Sequence, residues 1–443
     1  MSVKSGYVLA RLLTRAEIGD VAPPEDGSIN RGASMRRKLF VGVACLVLVG
    51  TAVATVTTAS ANVRAATSPL GTPKKATGSE VTLGFVSDGK SDAIDNTPEI
   101  KAAQAAVSYA NNYLGGLGGH KLALNVCETK QTPSGATDCA TNMVQAKVPI
   151  VITPVSGQSG TIYDGIKDAG IDYLQYGSLD QGVISGPPSS VFVLTNGIGT
   201  ALAGPAGIAA DAGVKKAGIL VTDVPAASGP VKQAAPIFYK NAGVTPDVIV
   251  VPVGQADMTP QIQAGISNGD GAFAMVGNPA FCTSAIKGLT TVGFKGPITA
   301  IQQCVDNTSA KATNGGYKGV NVLTTLNSAN KEYAQYLAVM KKYAKGVDTG
   351  GVAPGGYASV LALVAALPNL TGDVTAQTIS AGMAAMPPTP LPLGGGIVFQ
   401  CNGTQIAIAK PTCSTQVLKA KYTAKAIPVG FKVFDTANLS KLG

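Results

Sequence analysis

From Glu80 onward the chain alternates short apolar runs with amphipathic stretches, and nothing else in it restricts the fold as much. "VTLGFV" (81–86) has the length and bulk of a buried strand. "TPEIKAAQAAVSYANNYL" (97–114) puts Ile100, Ala103, Val107, Ala110 and Leu114 on one face, the period of a helix. Thr97 is its expected N-cap and Pro98 its first helical residue. Strands over 121–127, 149–154 and 171–176 then alternate with helices over 134–146 and 160–169. Repeated strand–helix–strand units build a parallel sheet covered by helices on both faces.

After "SSVFVLTNG" (189–197) the cycle restarts. Helices over 200–212, 229–242, 260–268 and 282–292 alternate with strands over 216–223, 246–253, 271–277 and 297–303. A strand at 319–325 precedes helices near 329–345, 355–368 and 375–386. In the tail, "GIVFQCNGTQIAIAK" reads as a hairpin turning at Asn402-Gly403. Two α/β cycles in series predict two doubly wound parallel-sheet lobes with a cleft between them.

The glycine-rich stretch "NNYLGGLGGH" (111–120) follows a helix and precedes a strand, so it ends the one and turns into the other. A phosphate-cradling loop has the reverse order, strand then helix. His120, the chain's only histidine, is expected at the surface on the edge away from the ligand side.

Upstream, "MRRKLFVGVACLVLVGTAVATVTTASA" (35–61) has a basic start, an apolar run and a small-residue Ala59-Ser60-Ala61 ending, the signature of an export signal. Its alternative is a retained anchor through 39–56, which would associate the protein with a membrane. Residues 1–34 are expected to be a non-native upstream extension or a cytoplasmic tail, and residues 62–79 a flexible linker. Either reading puts the remainder outside the cytoplasm, as a secreted, periplasmic or cell-surface protein.

Cysteine usage agrees with that compartment. Beyond Cys45 the six cysteines fall into close sequential pairs, from which the disulfides Cys127–Cys139, Cys282–Cys304 and Cys401–Cys413 are expected. A net charge of +9 invites a nucleic-acid reading, but no arginine follows Arg64 and there is no tryptophan, which argues against it. With 45% hydrophobic and 13% charged residues, the chain is globular rather than disordered.

Ligands bind open parallel sheets beyond the C-terminal ends of the strands. Those positions hold Ser87 and Asp88, the loop Ser156, Gly157, Gln158 and Ser159, then Tyr176, Gly177 and Ser178. The second cycle supplies Asp223, Asn278, Phe281 and Gln303. Hydroxyls, amides and glycines of this kind recognise a small polar or amphipathic molecule by hydrogen bonds. "GQSGT" (157–161) lies where a hydrolase nucleophile would, but its final residue is Thr161 and the only histidine precedes the serine. No catalytic set, no metal site and no cofactor motif is read from the chain.

In order along the chain, "AVSYANNYLGGLGGHKLAL" (106–124), "GILVTD" (218–223), "QADMTPQIQAGISNGDGAFAMVGNPAFCTSAIKGLTTVGFKGPI" (255–298) and "VFQCNGTQ" (398–405) resemble the type I periplasmic-binding-protein family. The likeness is to its leucine/isoleucine/valine-binding branch of ABC-transporter solute receptors. It implies two lobes joined by three crossover segments, near Leu194–Gly197, near Tyr317–Val320 and after Ile427. The expected division is 80–195 with 320–427 as the first lobe and 196–319 with 428–443 as the second. The lobes would close on an amino-acid-like, amide or small-acid solute and present it to a membrane permease, with no enzymatic step. An exported α/β enzyme and a cell-surface sensory module are the alternatives. The family's acidic partner for an amino group aligns near Phe281, which favours a neutral or weakly acidic, partly apolar solute over a branched-chain amino acid.

Overall fold

In the computed structural model, residues 68–441 are described, apart from 92–93 and 307. The expected export segment, the upstream extension and the start of the linker lie outside the described residues. Among the described residues no helix is long and apolar enough to cross a membrane.

The first cycle gives β1 (Glu80–Ser87), α1 (Thr97–Tyr109), β2 (Lys121–Glu128), α2 (Pro133–Gln145), β3 (Ile150–Thr153), α3 (Ser159–Ile166), β4 (Asp172–Gln175), α4 (Gln181–Ile184) and β5 (Val191–Val193). Its strands form an all-parallel sheet in the order β2-β1-β3-β4-β5. Leu83 and Phe85 on one face of β1 join the core under α1, while Val86 on the other joins the core under α2 and α3. Burial on both faces is why these strands read as continuous apolar runs.

The second cycle gives α5 (Gly204–Asp211), β6 (Lys216–Thr222), α6 (Pro225–Asn241), β7 (Thr245–Val251), α7 (Thr259–Ser267), β8 (Ala272–Val276), α8 (Pro279–Thr291), β9 (Ile298–Ile301), α9 (Ser309–Ala312) and β10 (Asn321–Thr324). Then come α10 (Lys331–Tyr343), α11 (Ala353–Ala366), α12 (Ala376–Ala385), β11 (Thr389–Pro390), β12 (Val398–Phe399), β13 (Gln416–Tyr422) and β14 (Pro428–Asp435). The second sheet runs β14-β13-β10-β9-β8-β6-β7. Its parallel part repeats the first sheet's strand order, and both place a switch point beside the lobe's first strand. β13 and β14 add an antiparallel pair at the edge, which the sequence reading did not foresee.

Helices α10, α11 and α12 cover the first sheet although they follow the second in sequence. Small residues of α1, among them Ala102, Ala103 and Ala106, let α11 approach closely. Gly356 of α11 is required there, because a Cβ would sit 2.2 Å from the Glu99 carbonyl oxygen.

The structure corrects several expectations. Asn96, not Thr97, precedes α1, and Thr97 is its first residue, with its hydroxyl on Asp95. No hairpin forms at Asn402-Gly403: the Asn402 side chain instead accepts from the Thr404 N–H in a local turn, and β12 pairs with β11. The described part of the linker is not a free tether. Ala76, Gly78 and Lys74 exchange backbone hydrogen bonds with Asn111, Gly119 and Gly115, because the glycine turn leaves main-chain groups unpaired and close by.

The lobe boundaries shift as well. The buried residues of β10 pair with β9, so 320–427 is not all first lobe, and β13 too belongs to the second sheet. The chain passes between the sheets through Leu194–Gly197, through 325–330 and through 414–415, not at Tyr317–Val320 or after Ile427. An apolar run of four residues looks the same in either lobe, and only its pairing partner assigns it. The sulfurs of Cys127–Cys139, Cys282–Cys304 and Cys401–Cys413 are bonded.

Candidate ligand-binding cleft

The C-terminal ends of both sheets face a shared cavity of about 600 Å³. On the first lobe it is lined by Val155, Ser156, Gly157 and Ser159 after β3, and by Gln175 through Gln181 around the end of β4. On the second it is lined by Gly229, Pro230 and Gln233 of α6, Ile301 to Gln303 after β9, and Leu323 to Thr325 at the end of β10. Thr195 and Gly197 of the first crossing segment complete the wall.

Asp88, at the end of β1, organizes the β3–α3 loop from beneath. It is buried, and its carboxylate accepts from Thr129 Oγ1 at 2.8 Å, from Ser156 Oγ and from the Gly157 N–H at 3.2 Å. Ser156 Oγ in turn accepts from the Gln158 N–H at 3.0 Å. Ser159 opens α3, donates to the Ser156 carbonyl at 2.6 Å and accepts from Gln175 Nε2. Gln175 is buried and its Oε1 has no hydrogen-bond partner, so a cavity-lining residue retains an open acceptor.

Beside Asp88, Ser87 Oγ donates to the Glu99 carboxylate. Burial pushes the Glu99 pKa up to about 8, against the lowering effect of the Ser87 hydrogen bond, with the Asp88 charge adding to the rise. The hydroxyls and amides thus rest on a layer of two acidic side chains, Asp88 and Glu99, that lies outside the cavity lining.

The hinge is tied by side chains. Asn196 Oδ1 accepts from the Gly199 N–H at 2.6 Å, and its Nδ2 donates to Thr436 Oγ1 at 2.9 Å and to the Thr415 carbonyl at 3.3 Å. It therefore fastens the first crossing segment to the third. Thr195 Oγ1 donates to the Tyr176 carbonyl at 2.6 Å, and Thr324 Oγ1 donates to Gln302 Oε1. Burial raises the Tyr176 phenol above its usual range.

Of the residues expected from sequence, Ser156, Gly157, Ser159, Tyr176, Gly177, Ser178 and Gln303 line this cavity. Four do not. Gln158 turns its amide toward the Gln131 carbonyl. Asp223 is exposed at the end of β6, outside the lining. Asn278 caps α8 by accepting from the Phe281 N–H at 2.9 Å, and Phe281 is buried in the core beneath that helix. In the second lobe the cavity meets the ends of β9 and β10 and the first turns of α6, not the ends of β6 and β8. The sequence reading missed Gln175 and Asp180, each one to two residues from a position it chose, Thr325, just past a strand from which it chose no residue, and Gln233, which a search confined to strand ends does not reach.

Among the described residues lining the cavity there is one carboxylate, Asp180, and no lysine, arginine or histidine. Asp180 Oδ1 is already engaged in capping α4 through the Val183 N–H at 3.1 Å. Among the described residues no group of three metal-ligating side chains comes together. The site offers hydroxyls, amides and backbone dipoles on an apolar frame, a set made for binding.

Two α/β lobes of matching strand order, joined by three crossing segments around a cavity of hydroxyls and amides on an apolar frame, define a bilobed solute-binding protein. The chain belongs to the periplasmic binding protein family, whose model matches residues 80–410; this is a family of solute-binding proteins, not of enzymes. No curated protein sequence matches the chain. Among solved structures it is similar to the branched-chain amino acid transporter substrate binding protein LivJ from Streptococcus pneumoniae, in complex with isoleucine. There the identity is 17%, with 80% of this chain and 99% of that one covered at a TM-score of 0.61. It is also similar to an ABC transporter substrate-binding protein from Sphaerobacter thermophilus (15% identity, 81% and 98% covered, TM-score 0.66). A third is a branched chain amino acid ABC transporter from Thermus thermophilus with bound valine (15% identity, 81% and 97% covered, TM-score 0.64). At these identities the likeness is one of fold.

Proposed function

We propose that the protein is the extracytoplasmic receptor of an ABC transporter. It captures a small, neutral, partly apolar solute by closing its lobes and delivers it to a membrane permease. The family supports the receptor role and an extracytoplasmic location, and the relatives that bind isoleucine and valine support transport of a small organic solute. The observation that carries the ligand class is the cavity lining. No lysine or arginine stands ready for a solute carboxylate, and the one acid, Asp180, has one oxygen engaged in a helix cap. Closing a dry cleft over a charge whose counter-charge is partly engaged is costly, whereas hydroxyl and amide groups find partners in Ser156, Ser159, Gln175 and Gln303. The Ser156–Ser159 loop and Tyr176–Ser178 hold the solute on the first lobe, and Gln303 meets it from the second.

A thermal-shift screen of the protein against polyols, primary amides, small acids and amino acids tests this. A neutral hydroxyl- or amide-bearing solute is expected to raise the melting temperature by mass action, and leucine, isoleucine and valine are not. Tight binding of leucine by titration calorimetry would overturn the ligand class and leave the receptor role standing.

A further inference from the structure

A side pocket of about 170 Å³ opens beside the cleft. The two share Leu179, Gln181, Ala201, Pro230 and Gln233 in their walls, so the pocket continues the cleft rather than standing apart from it. Beyond that shared rim the wall changes character. It is built by Ile184 of α4, Ile198, Leu202 of the helical turn leading into α5, Val231 and Ile237 of α6, and Ile408 of the segment before β13. Every residue past the rim is apolar, and the two glutamines are the only polar side chains of the lining.

The packing explains this division. Ile184, Ile198, Leu202 and Val231 are buried members of one core cluster, which carries a first-lobe residue onto α6 of the second lobe. Ile237 and Ile408 are half-buried and complete the outer wall. At the rim Gln181 is held along α4, where its Nε2 donates to Ser185 Oγ at 2.7 Å. Next to the passage, Gly229 has no side chain to narrow it, and a Cβ there would meet no atom within 4 Å. Pro230 follows inside α6 and brings no N–H.

Size and polarity then define the guest. Cavities of about 150 Å³ with walls of this kind stay dry and take a benzene-sized molecule. Left empty, such a wall forgoes the contacts that atoms on its open side would supply. A solute that spans both spaces carries a polar head for the cleft and a hydrocarbon arm for the pocket.

We propose that the side pocket selects the apolar arm of the bound solute, a single ring or a branched alkyl group of about six carbons, attached to a neutral hydroxyl- or amide-bearing head. The head rests on the function proposed above; the arm rests on the pocket alone. Because Ile184 belongs to the first lobe and Val231 and Ile237 to the second, the arm touches both and favours the lobes held together.

The test is a titration of the full-length, methyl-labelled protein with 3-phenylpropanamide and, separately, with propanamide. The phenyl compound is expected to shift the methyl resonances of Ile184, Ile198, Leu202 and Ile408, and propanamide to leave them in place. The ring is expected to tighten binding at least about tenfold. Ala234→Phe, from a half-buried position in the pocket wall, is expected to erase that advantage. If this variant fails to fold, nuclear Overhauser effects from the ring protons to the Ile198 and Ile408 methyls in the unaltered protein decide the matter. Unmoved pocket methyls, an equal response to propanamide, absent Overhauser effects, or an advantage that survives Ala234→Phe would each overturn the proposal. The cleft methyls of Ile301 and Leu323 report separately on the head: if they stay still while the pocket methyls move, the arm pocket stands and the neutral-head reading falls.

Discussion

The Tyr176 hydroxyl holds Thr325 twice, donating to its carbonyl at 3.2 Å and accepting from its Oγ1 at 3.1 Å. One residue ends the fourth strand of the first sheet and the other begins the second crossing segment, so the pair is a clasp across the hinge. Tyr176→Phe removes both bonds and keeps the ring. It is expected to lower stability by about 1 kcal/mol and to widen the lobe angle, read by chemical denaturation and by small-angle scattering. An unchanged radius of gyration would show that the clasp does not restrain the hinge.

Asp88 gathers Thr129, Ser156 and Gly157 onto one carboxylate. Asp88→Asn is expected to destabilise the loop by about 1.5–3 kcal/mol, the range for hydrogen bonds to a charged group. Faster hydrogen exchange at the Gly157 and Gln158 amides checks it.

Glu99, held near pKa 8 by burial against an ordinary value of 4.5, makes stability depend on pH. Between those values the folded state keeps a proton that the unfolded state has lost. Stability therefore falls as pH rises through this window, and the group's contribution is fully favourable only below it. Asp172, pushed up to about 7 by burial despite its Ser380 hydrogen bonds, acts in the same direction. Urea melts at a series of pH values are expected to show the decline, and Glu99→Gln is expected to remove the Glu99 share of it and leave that of Asp172.

Cys127–Cys139 ties the end of β2 to α2 across 12 residues. Replacing both with serine is expected to cost about 3 kcal/mol in the chain-entropy description, with no change in the cleft lining. Denaturant midpoints with and without the pair measure this.

His120 bridges Ser79 and Gly372. His120→Ala is expected to loosen the linker, seen as faster exchange at the Ala76 and Gly78 amides, while the Gly157 amide is unaffected. Unaltered exchange at Ala76 would assign the linker's order to the glycine turn alone.

The alternation of apolar runs and amphipathic stretches made both sheets legible, because strands buried on two faces and helices buried on one leave different periods. Close cysteine spacing made the pairing legible for a similar reason of locality. What depended on distant pairing was not legible. Val322 and Leu323 are as apolar as any strand residue, and only their neighbours Ala300 and Ile301 place them in the second sheet. Phe281 was chosen for its position after a strand, but a large aromatic in the first turn of α8 gains more from burial in the core than from partial exposure at the cleft. Gln233 lies on a helix, where the rule about strand ends gives no signal. His120 and its glycines were rightly read as a turn, and the sequence held no hint that the linker would lie down on them.

The late arrival of α10, α11 and α12 sets an order on assembly. A chain emerging from its N-terminus completes all five strands of the first sheet well before the helices that cover one face of it, with the whole parallel part of the second sheet intervening. Until then the alanine flank of α1 that meets α11 stays bare to water. A nascent chain of this design carries that apolar flank uncovered until its last third is made, and a chain cut short inside that third keeps the first sheet without its full cover.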